Sequence, residues 1–130
     1  MAAANIAVIG GDGIGPEVID QATRVADRAV ACHEKATMEW NRLPWSSAFY
    51  KQTGQMMPAD GWEVLQRHDA ILLGAIGHPD VPDHITLHGL LLPMRRRFDQ
   101  YVNLRPAYLF EGVQSPLRDK APGSDRKSVV

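Results

Sequence analysis

A short apolar segment that runs directly into a glycine-rich turn constrains the fold of this chain more than any other feature. Asn5-Ile-Ala-Val-Ile-Gly10 has the length and composition of a buried strand, and Gly11-Asp-Gly-Ile-Gly-Pro16 follows it without a break. Glycines permit a tight turn and a close approach of backbones, and Pro16 suits the first position of a helix. The apolar residues after Pro16 follow helical spacing, in one line of Val18, Ala22, Val25 and Ala29 with Ile19, Ala26 and Val30 beside it. The pattern predicts a strand, a tight turn and a long helix.

The rest of the chain alternates strand and helix patterns. A second strand is predicted from Thr37 to Leu43, and short helices are predicted over about 48–52 and 58–67. Asp69-Ala-Ile-Leu-Leu-Gly74 is a continuous apolar run, which is typical of a central parallel strand buried on both faces. This alternation predicts an α/β protein with a layered, mainly parallel sheet.

The composition narrows the class of protein. The 130 residues suffice for at most one ordinary domain. A net charge of −1 gives no electrostatic field that would attract nucleic acid or a membrane surface, and no apolar run is as long as a membrane span. The single cysteine, Cys32, rules out an internal disulfide and fits a reducing compartment. We therefore expect a soluble, cytoplasmic protein with no nucleic-acid or membrane partner.

Two glycine-containing loops are candidates for a ligand site. In the first, Gly11-x-Gly13-x-Gly15 departs from the G-x-G-x-x-G fingerprint of dinucleotide-binding folds in its last interval, although Glu39 lies near the position of a ribose-binding acid. The second, Gly74-Ala-Ile-Gly77, follows a buried strand and so lies at its carboxyl end, where open α/β sheets bind ligands. Each pattern also fits an ordinary turn, and the residues alone leave both interpretations open.

An arginine-rich stretch is the other candidate site. A short helix is predicted over about 90–98, followed by a turn and by a strand that begins near Val102 and is stopped or bent by Pro106. Arg95 then projects from the helix and Arg105 lies near the start of the strand. A planar guanidinium can hold a carboxylate through two hydrogen bonds. Two such groups on rigid elements predict a clamp for a small dicarboxylate.

Two neighbouring polar features are weaker candidates. Arg95, Arg96 and Arg97 also fit a solvated helix face. Adjacent helical residues diverge by about 100°, so at least two of the three point away from any one pocket and only one of them is a good ligand candidate. His84 and His88 are four residues apart and can share a helix face, as a metal site would require. No third ligand is well placed beside them, so a solvated or capping role is preferred.

Four segments together carry a family resemblance: Gly11-Asp-Gly-Ile-Gly-Pro-Glu-Val18, Gly74-Ala-Ile-Gly77, Gly89 to Arg95 and Asn103-Leu-Arg-Pro106. In this order they resemble the pyridine-nucleotide-linked β-decarboxylating dehydrogenases, which include isopropylmalate, isocitrate, homoisocitrate and tartrate/D-malate dehydrogenases. The resemblance runs from about Ile6 to Leu117, and its segment 82–106 is most similar to the tartrate/D-malate branch. It implies the isopropylmalate dehydrogenase-like form of the α/β fold, which does not use the common dinucleotide fold.

The resemblance also implies roles for particular residues. Arg95 and Arg105 match the two arginines that hold the carboxylates of the substrate. Leu90 to Leu92 fall where family members sort substrates by the group on the carbon that loses CO2, and Leu91 is the expected substrate contact. The residues expected to contact NAD near its nicotinamide end are Ile14, Gly74, Ala75, Ile76 and Gly77.

The reaction implied by the resemblance is oxidative decarboxylation of a malate-like 2-hydroxy acid. In the first step, hydride passes to NAD as the substrate hydroxyl loses its proton. Mg²⁺ or Mn²⁺ then polarises the new carbonyl, so that CO2 leaves and an enolate forms, and a general acid protonates this enolate. Catalytic residues and metal ligands are expected downstream of this chain, so the chain alone is expected to be inactive. The resemblance also implies that the intact parent protein is a homodimer. The alternatives are a 3-isopropylmalate dehydrogenase fragment, and a non-catalytic short subunit or anion-binding module.

The resemblance predicts a division of the chain as well. Residues 1–100 would form the N-terminal part of the first α/β domain, and residues 101–124 an incomplete entry into the second. Residues 125–130 are expected to be non-native. The codons GAT CGG AAG AGC GTC GTG, which occur in a widely used sequencing adapter, encode Asp125-Arg-Lys-Ser-Val-Val130.

Overall fold

The chain divides into two units, Met1–Pro93 and Met94–Val130. The structure is a computed structural model that describes residues 2–33, 36–107, 109–116, 118 and 126–129. Its elements are β1 (Ala2–Gly11), α1 (Gly15–His33), β2 (Ala36–Leu43), α2 (Ser47–Thr53), α3 (Gly61–Gln66), β3 (Ala70–Ala75), α4 (Asp83–Thr86), a π-helical turn (Leu87–Leu91), α5 (Leu92–Arg97), β4 (Leu104–Ala107) and β5 (Arg126–Val129). No helix of the described residues combines the length and the apolar character that crossing a membrane requires.

A three-stranded parallel sheet organises the first unit. Its strand order is β2-β1-β3, with Ile9 opposite Leu43 on one side and Gly11 opposite Ala75 on the other. The central strand is β1, whose residues 6–9 are all buried, and this confirms the predicted α/β class with a parallel sheet. The expectation that the apolar run 69–74 is a central strand is wrong for the described sheet. There β3 pairs only with β1 and is half-buried, because one of its edges has no neighbouring strand.

Helix α1 covers one face of this sheet through Ile19. That side chain packs with Ile6 and Val8 of β1, and Trp40 and Leu72 of the flanking strands close the cluster. Because successive strand residues point to opposite faces, Ile6 and Val8 reach the helix while Ala7 and Ile9 face away from it.

The buried face of α1 is not the line of residues that the spacing first suggests. Val18 is 50% exposed and Val25 is 68% exposed, whereas Ile19 and Thr23 are buried. The stripe that faces the sheet therefore runs through Ile19, and the line from Val18 to Ala29 lies beside it. Two apolar stripes one residue apart have the same period, so periodicity alone does not tell which of them is covered.

Helix α2 is bounded by two local capping interactions. The Ser46 hydroxyl accepts a hydrogen bond from the backbone N–H of Phe49 at 3.2 Å, and Gly54 adopts a left-handed conformation with φ 77°. Gly54 also donates its N–H to the carbonyl of Tyr50 at 2.7 Å, which satisfies a terminal carbonyl. These interactions bound the short helix that the sequence predicts over about 48–52.

The helical segment before the arginines is longer than predicted. Instead of a helix over about 90–98, α4, the π-helical turn and α5 follow one another from Asp83 to Arg97. The N–H of Leu92 donates to the carbonyl of Leu87, five residues earlier, which defines the π-helical turn. Such turns are rare and occur frequently at functional sites. Nothing in an apolar periodicity of 3.6 residues predicts this local widening.

The second unit contains a short antiparallel pair. Strand β4 begins at Leu104, two residues later than predicted, and pairs with β5 so that Arg105 lies opposite Ser128. The strand includes Pro106 and ends at Ala107, so the proline does not end it.

Candidate active site

The two glycine loops meet at the carboxyl edge of the parallel sheet. From β1 the chain passes through α1 to β2 on one side, and from β2 it returns to β3 on the other side of β1. The carboxyl ends of β1 and β3 therefore form the point where strand order reverses, which is where open α/β sheets bind ligands. The loops 11–15 and 74–77 both lie at this point, as Gly11 is opposite Ala75. Glu39 is paired with Asn5 in mid-strand and does not lie at this edge.

Asp12 links these loops to each other and to α2. Its backbone N–H donates to the carbonyl of Ala75 at 2.6 Å. Its Oδ1 accepts the backbone N–H of Ser47 at 2.7 Å. Its Oδ2 accepts both the Ser47 hydroxyl at 2.7 Å and the backbone N–H of Gly77 at 3.0 Å. A carboxylate that is only 6% exposed therefore holds both loops and the start of α2 in one arrangement.

Three of the loop glycines are required by packing. A Cβ atom on Gly11 or on Gly15 would collide with backbone of the β1–β3 edge, with the Ala75 carbonyl oxygen in the first case and the Gly10 carbonyl oxygen in the second. A Cβ atom on Gly74 would collide with the Gly10 carbonyl oxygen as well. At these positions, glycine lets two strand ends and the start of α1 approach each other.

The other two loop glycines face open space. A Cβ atom on Gly13 or Gly77 would have no neighbour within 4 Å. Beside them Ile14 is 64% exposed, Ala75 is exposed and Ile76 is half-buried. Each loop thus combines closely packed glycine, which the turn itself requires, with an open glycine that leaves space beside the backbone.

A charged cluster lies directly after the second loop. Lys51 of α2 forms an ion pair with Asp80 at 2.8 Å, and the Nδ1 atom of His78 lies 3.4 Å from the Lys51 ammonium. The backbone N–H of Asp80 donates to the same Nδ1 at 3.1 Å. The hydrogen bond and the charge of Lys51, and then the charge of His78, hold the pKa of the Asp80 carboxyl below its ordinary value of 3.8. Ser47 and Lys51 are one helical turn apart, so a single face of α2 supports the loop and the segment that follows it.

The two predicted clamp arginines lie in the second unit on successive elements. Arg95 is in α5 and Arg105 is the second residue of β4, and both side chains are exposed. Among the residues that the structure describes, neither guanidinium forms an ion pair or a hydrogen bond. Within that part of the chain, no side chain competes with an anionic ligand for either guanidinium.

The turn after Arg95 has a defined geometry. The N–H of Gln100 donates to the carbonyl of Arg95 at 2.9 Å, and the N–H of Asp99 donates to the carbonyl of Arg96 at 3.3 Å. These two bonds are those of a Schellman motif, and Asp99 occupies its left-handed position with φ 51°. The helix that carries Arg95 thus ends in an ordered turn on the way to the strand that carries Arg105.

The leucine segment and the two histidines lie on the helical run of the first unit. Leu90 is fully buried, so it is a core residue, whereas Leu91 is half-buried at the end of the π-helical turn. His84 and His88 line an open groove of about 560 Å³ whose other walls are mostly apolar, among them Met56 and Trp62. Within the described residues no three His, Cys, Asp or Glu side chains are grouped so that they could hold a metal ion.

Comparison with known proteins decides the family. The sequence profile of the isocitrate/isopropylmalate dehydrogenase family matches residues 5–127. The chain belongs to this family.

Relatives within the family include dehydrogenases that also decarboxylate. The chain is 52% identical over 120 residues to D-malate dehydrogenase (decarboxylating) of Escherichia coli (strain K12), and 49% identical over 120 residues to tartrate dehydrogenase/decarboxylase of Pseudomonas putida. Each match covers 91% of this chain and 33% of the relative. The chain therefore spans about a third of the length of these curated relatives.

Solved structures agree with the fold. A β-decarboxylating dehydrogenase from Thermococcus kodakarensis in its apo form matches with a TM-score of 0.60 and 26% identity, over 98% of this chain and 41% of that one. A protein from Thermus thermophilus matches with a TM-score of 0.62 and 25% identity, over 96% of this chain and 23% of that one. The isopropylmalate dehydrogenase-like α/β fold expected from the sequence is confirmed.

Sequence reasoning misses two polar residues at this edge of the sheet. Asp12 and Ser47 are not among the predicted site residues, although they are buried and joined by two hydrogen bonds. The sequence does contain one signal, because Asp12 lies between two glycines at the end of a buried strand. A carboxylate at such a position is expected to be buried and therefore to need hydrogen-bond donors. The partner on α2 is 35 residues away in sequence, and no local pattern indicates it.

Proposed function

We propose that the chain is the N-terminal portion of an NAD-dependent, divalent-metal-dependent oxidative decarboxylase of a malate-like 2-hydroxy acid, of the tartrate/D-malate type. From the family resemblance we also infer that the intact protein is a cytoplasmic homodimer. The relatives named D-malate dehydrogenase and tartrate dehydrogenase/decarboxylase support this choice of branch. The chain supplies the substrate-binding arginines and part of the cofactor site.

The observation that carries the proposal is that the guanidiniums of Arg95 on α5 and Arg105 on β4 have no partner among the described residues. An exposed arginine that has no acidic partner among the described residues retains its hydrogen-bond donors for a ligand. A dicarboxylate presents one planar carboxylate to each of two arginines, and each pair can form two charge-assisted hydrogen bonds. Arg95 and Arg105 orient the substrate through these contacts and take no part in proton transfer.

The open side of the two glycine loops suits the nicotinamide end of NAD. Gly13 and Gly77 leave room for a flat ring against backbone, and Ile14 offers an exposed apolar side chain beside them. Ala75 and Ile76 complete the second loop, with Gly74 packed behind it. When bound, NAD supplies the hydride acceptor, and the residues of these loops hold and orient it and exclude water from one side.

The described residues do not provide a site for the divalent cation. Carboxylate oxygens are the ligands that Mg²⁺ and Mn²⁺ prefer, and no suitable group of acidic side chains is present in this part of the chain. Leu91 remains our proposed contact to the group on the carbon that loses CO2.

Activity of the full-length protein on a panel of substrates tests the proposal. NADH formation and CO2 release are measured with NAD⁺, Mn²⁺ and, in turn, D-malate, tartrate and 3-isopropylmalate. Turnover of D-malate or tartrate with equal yields of NADH and CO2 is the expected result. Turnover of 3-isopropylmalate alone would keep the oxidative decarboxylation and move the protein to the isopropylmalate branch. Absence of turnover by a folded full-length protein would overturn the proposal.

A further inference from the structure

Asp12 is a buried carboxylate that no cation neutralises within the described part of the chain. It is 6% exposed, and none of the ion pairs among the described residues includes it. Burial of an ionised group is unfavourable unless hydrogen bonds replace its water. Three donors do so here, two from Ser47 and one from Gly77. An apolar side chain could fill this buried position without any hydrogen-bond donors. What distinguishes Asp12 is therefore the set of donors that surrounds its carboxylate.

The donors show what Asp12 holds in place. The second glycine loop is tied to Asp12 twice, through the Ala75 carbonyl, which accepts the Asp12 N–H, and through the Gly77 N–H, which the Asp12 carboxylate accepts. The same carboxylate also accepts two hydrogen bonds from the fully buried Ser47 at the start of α2. Gly77 is exposed and has no side chain to anchor it, so this bond sets the path of its backbone.

We propose that Asp12 is a positioning residue for the cofactor loop, and that its bond to the Gly77 N–H keeps Gly74–Gly77 in the conformation that accepts the nicotinamide end of NAD. This inference rests on the proposed function. A loop that is already ordered loses less conformational entropy when a ligand binds, so the tie lowers the dissociation constant of NAD⁺ without touching the cofactor. The substrate arginines lie on other elements and do not depend on this bond.

Asp12→Asn is the variant that breaks the tie with the smallest change in shape. Oδ1 can keep the Ser47 N–H while the new amide group takes the place of Oδ2. The amide then points a donor at the Gly77 N–H, whereas the Ser47 hydroxyl can rotate and become an acceptor. The loop therefore loses its bond at Gly77 and keeps the backbone bond from the Asp12 N–H to the Ala75 carbonyl, while α2 retains both of its bonds to residue 12.

Asp69→Asn is a matched control. The Asp69 carboxylate also accepts a backbone N–H, that of Asn5 at 2.9 Å, but it lies just before β3, at the amino end of that strand. Both variants replace a carboxylate by an amide, but Asp69 is separated from the cofactor loop by the length of β3.

The experiment compares wild type, Asp12→Asn and Asp69→Asn in the full-length protein by NAD⁺ titration calorimetry, steady-state kinetics and thermal denaturation. We expect the Kd and KM of NAD⁺ to rise about tenfold in Asp12→Asn, equivalent to about 1.4 kcal/mol, and to change less than about twofold in Asp69→Asn. The KM of the 2-hydroxy acid should stay within about twofold in both variants. A purely structural role would lower Tm in Asp12→Asn with both KM values unchanged, and that result would overturn the inference.

A measurement on wild type keeps the inference testable if Asp12→Asn does not fold. Amide hydrogen exchange should show the Gly77 N–H protected by at least about tenfold although the residue is exposed, because the N–H is hydrogen-bonded in the resting protein. Exchange at the rate of an unbonded amide would overturn the inference. If wild type neither binds NAD⁺ nor oxidises any substrate, the proposed function fails, whereas normal wild-type activity with an unaffected Asp12→Asn variant overturns only the positioning role.

Discussion

The Oδ2 atom of Asp12 lies 3.0 Å from the backbone nitrogen of Gly77, and this contact joins the turn after β1 to the loop after β3. Both loops follow strands whose carboxyl ends are neighbours in the parallel sheet. The contact therefore converts two separate glycine turns into one surface at the edge where ligands bind in this class of sheet. The same oxygen also accepts the Ser47 hydroxyl, so α2 belongs to this assembly.

Removal of the Ser47 hydroxyl should destabilise the protein without changing its shape. The Ser47 hydroxyl donates to a buried carboxylate at 2.7 Å, and hydrogen bonds to charged groups contribute about 1.5–3 kcal/mol. We expect Ser47→Ala to lower the free energy of unfolding by about 2 kcal/mol, measured as a lower thermal midpoint. The control is Thr53→Ala at the other end of α2, whose exposed hydroxyl bonds the Phe49 carbonyl and should matter by less than about 1 kcal/mol. Equal midpoints for wild type and Ser47→Ala would contradict this account of the Asp12 site.

Replacement of Asp99 by glycine should stabilise the turn between the two arginines. Asp99 has φ 51°, a left-handed conformation that is unfavourable for residues with a Cβ atom and that glycine adopts freely. We expect Asp99→Gly to raise the free energy of unfolding by up to about 1 kcal/mol, and Asp99→Ala to lower it, both measured by thermal denaturation. A lower midpoint in Asp99→Gly than in Asp99→Ala would show that the turn is not the Schellman motif described above.

The ion pair between Lys51 and Asp80 should be visible in the acid titration of the protein. Its hydrogen bond and charge lower the pKa of the Asp80 carboxyl from 3.8, so the folded state binds this proton less readily than the unfolded state does. The stabilising contribution is therefore complete above pH 3.8 and is lost as the pH falls through the lowered pKa.

Carboxyl NMR of Asp80 during titration measures this directly. In Lys51→Met the midpoint of Asp80 should move up towards 3.8, and added salt should move the wild-type midpoint in the same direction because the pair is exposed. Arg28→Met, which removes one positive charge from an exposed position of α1, is the control for net charge. Identical Asp80 midpoints in wild type and Lys51→Met would rule out the ion pair in solution.

The parts of the fold that could be predicted from the sequence are those that local patterns determine. The apolar runs of β1 and β3, the amphipathic period of α1 and the capping residues of α2 each act within a few residues, and the strands and helices they predict are present. The positions of Arg95 in a helix and Arg105 in a strand follow from the same kind of signal.

The parts that could not be predicted depend on contacts distant in sequence. Which stripe of α1 is buried depends on how the helix sits on the sheet, and Ile19 rather than Val18 proves to face it. The role of Asp12 depends on Ser47 and Gly77, which are 35 and 65 residues away. The π-helical turn at Leu87–Leu91 has no distinct hydrophobic pattern, so the helix predicted before Arg95 is too short.

The catalytic efficiency of arginine variants tests the central claim most directly, namely that this chain carries the substrate clamp. kcat/KM for D-malate is measured for Arg95→Ala, Arg105→Ala and the neighbouring Arg96→Ala in the full-length protein. The clamp predicts a fall of about 100-fold or more in each of the first two variants, because each loses a charge-assisted carboxylate contact, and less than about threefold in Arg96→Ala. Equal effects of Arg95→Ala and Arg96→Ala, or no loss in Arg105→Ala, would contradict the clamp.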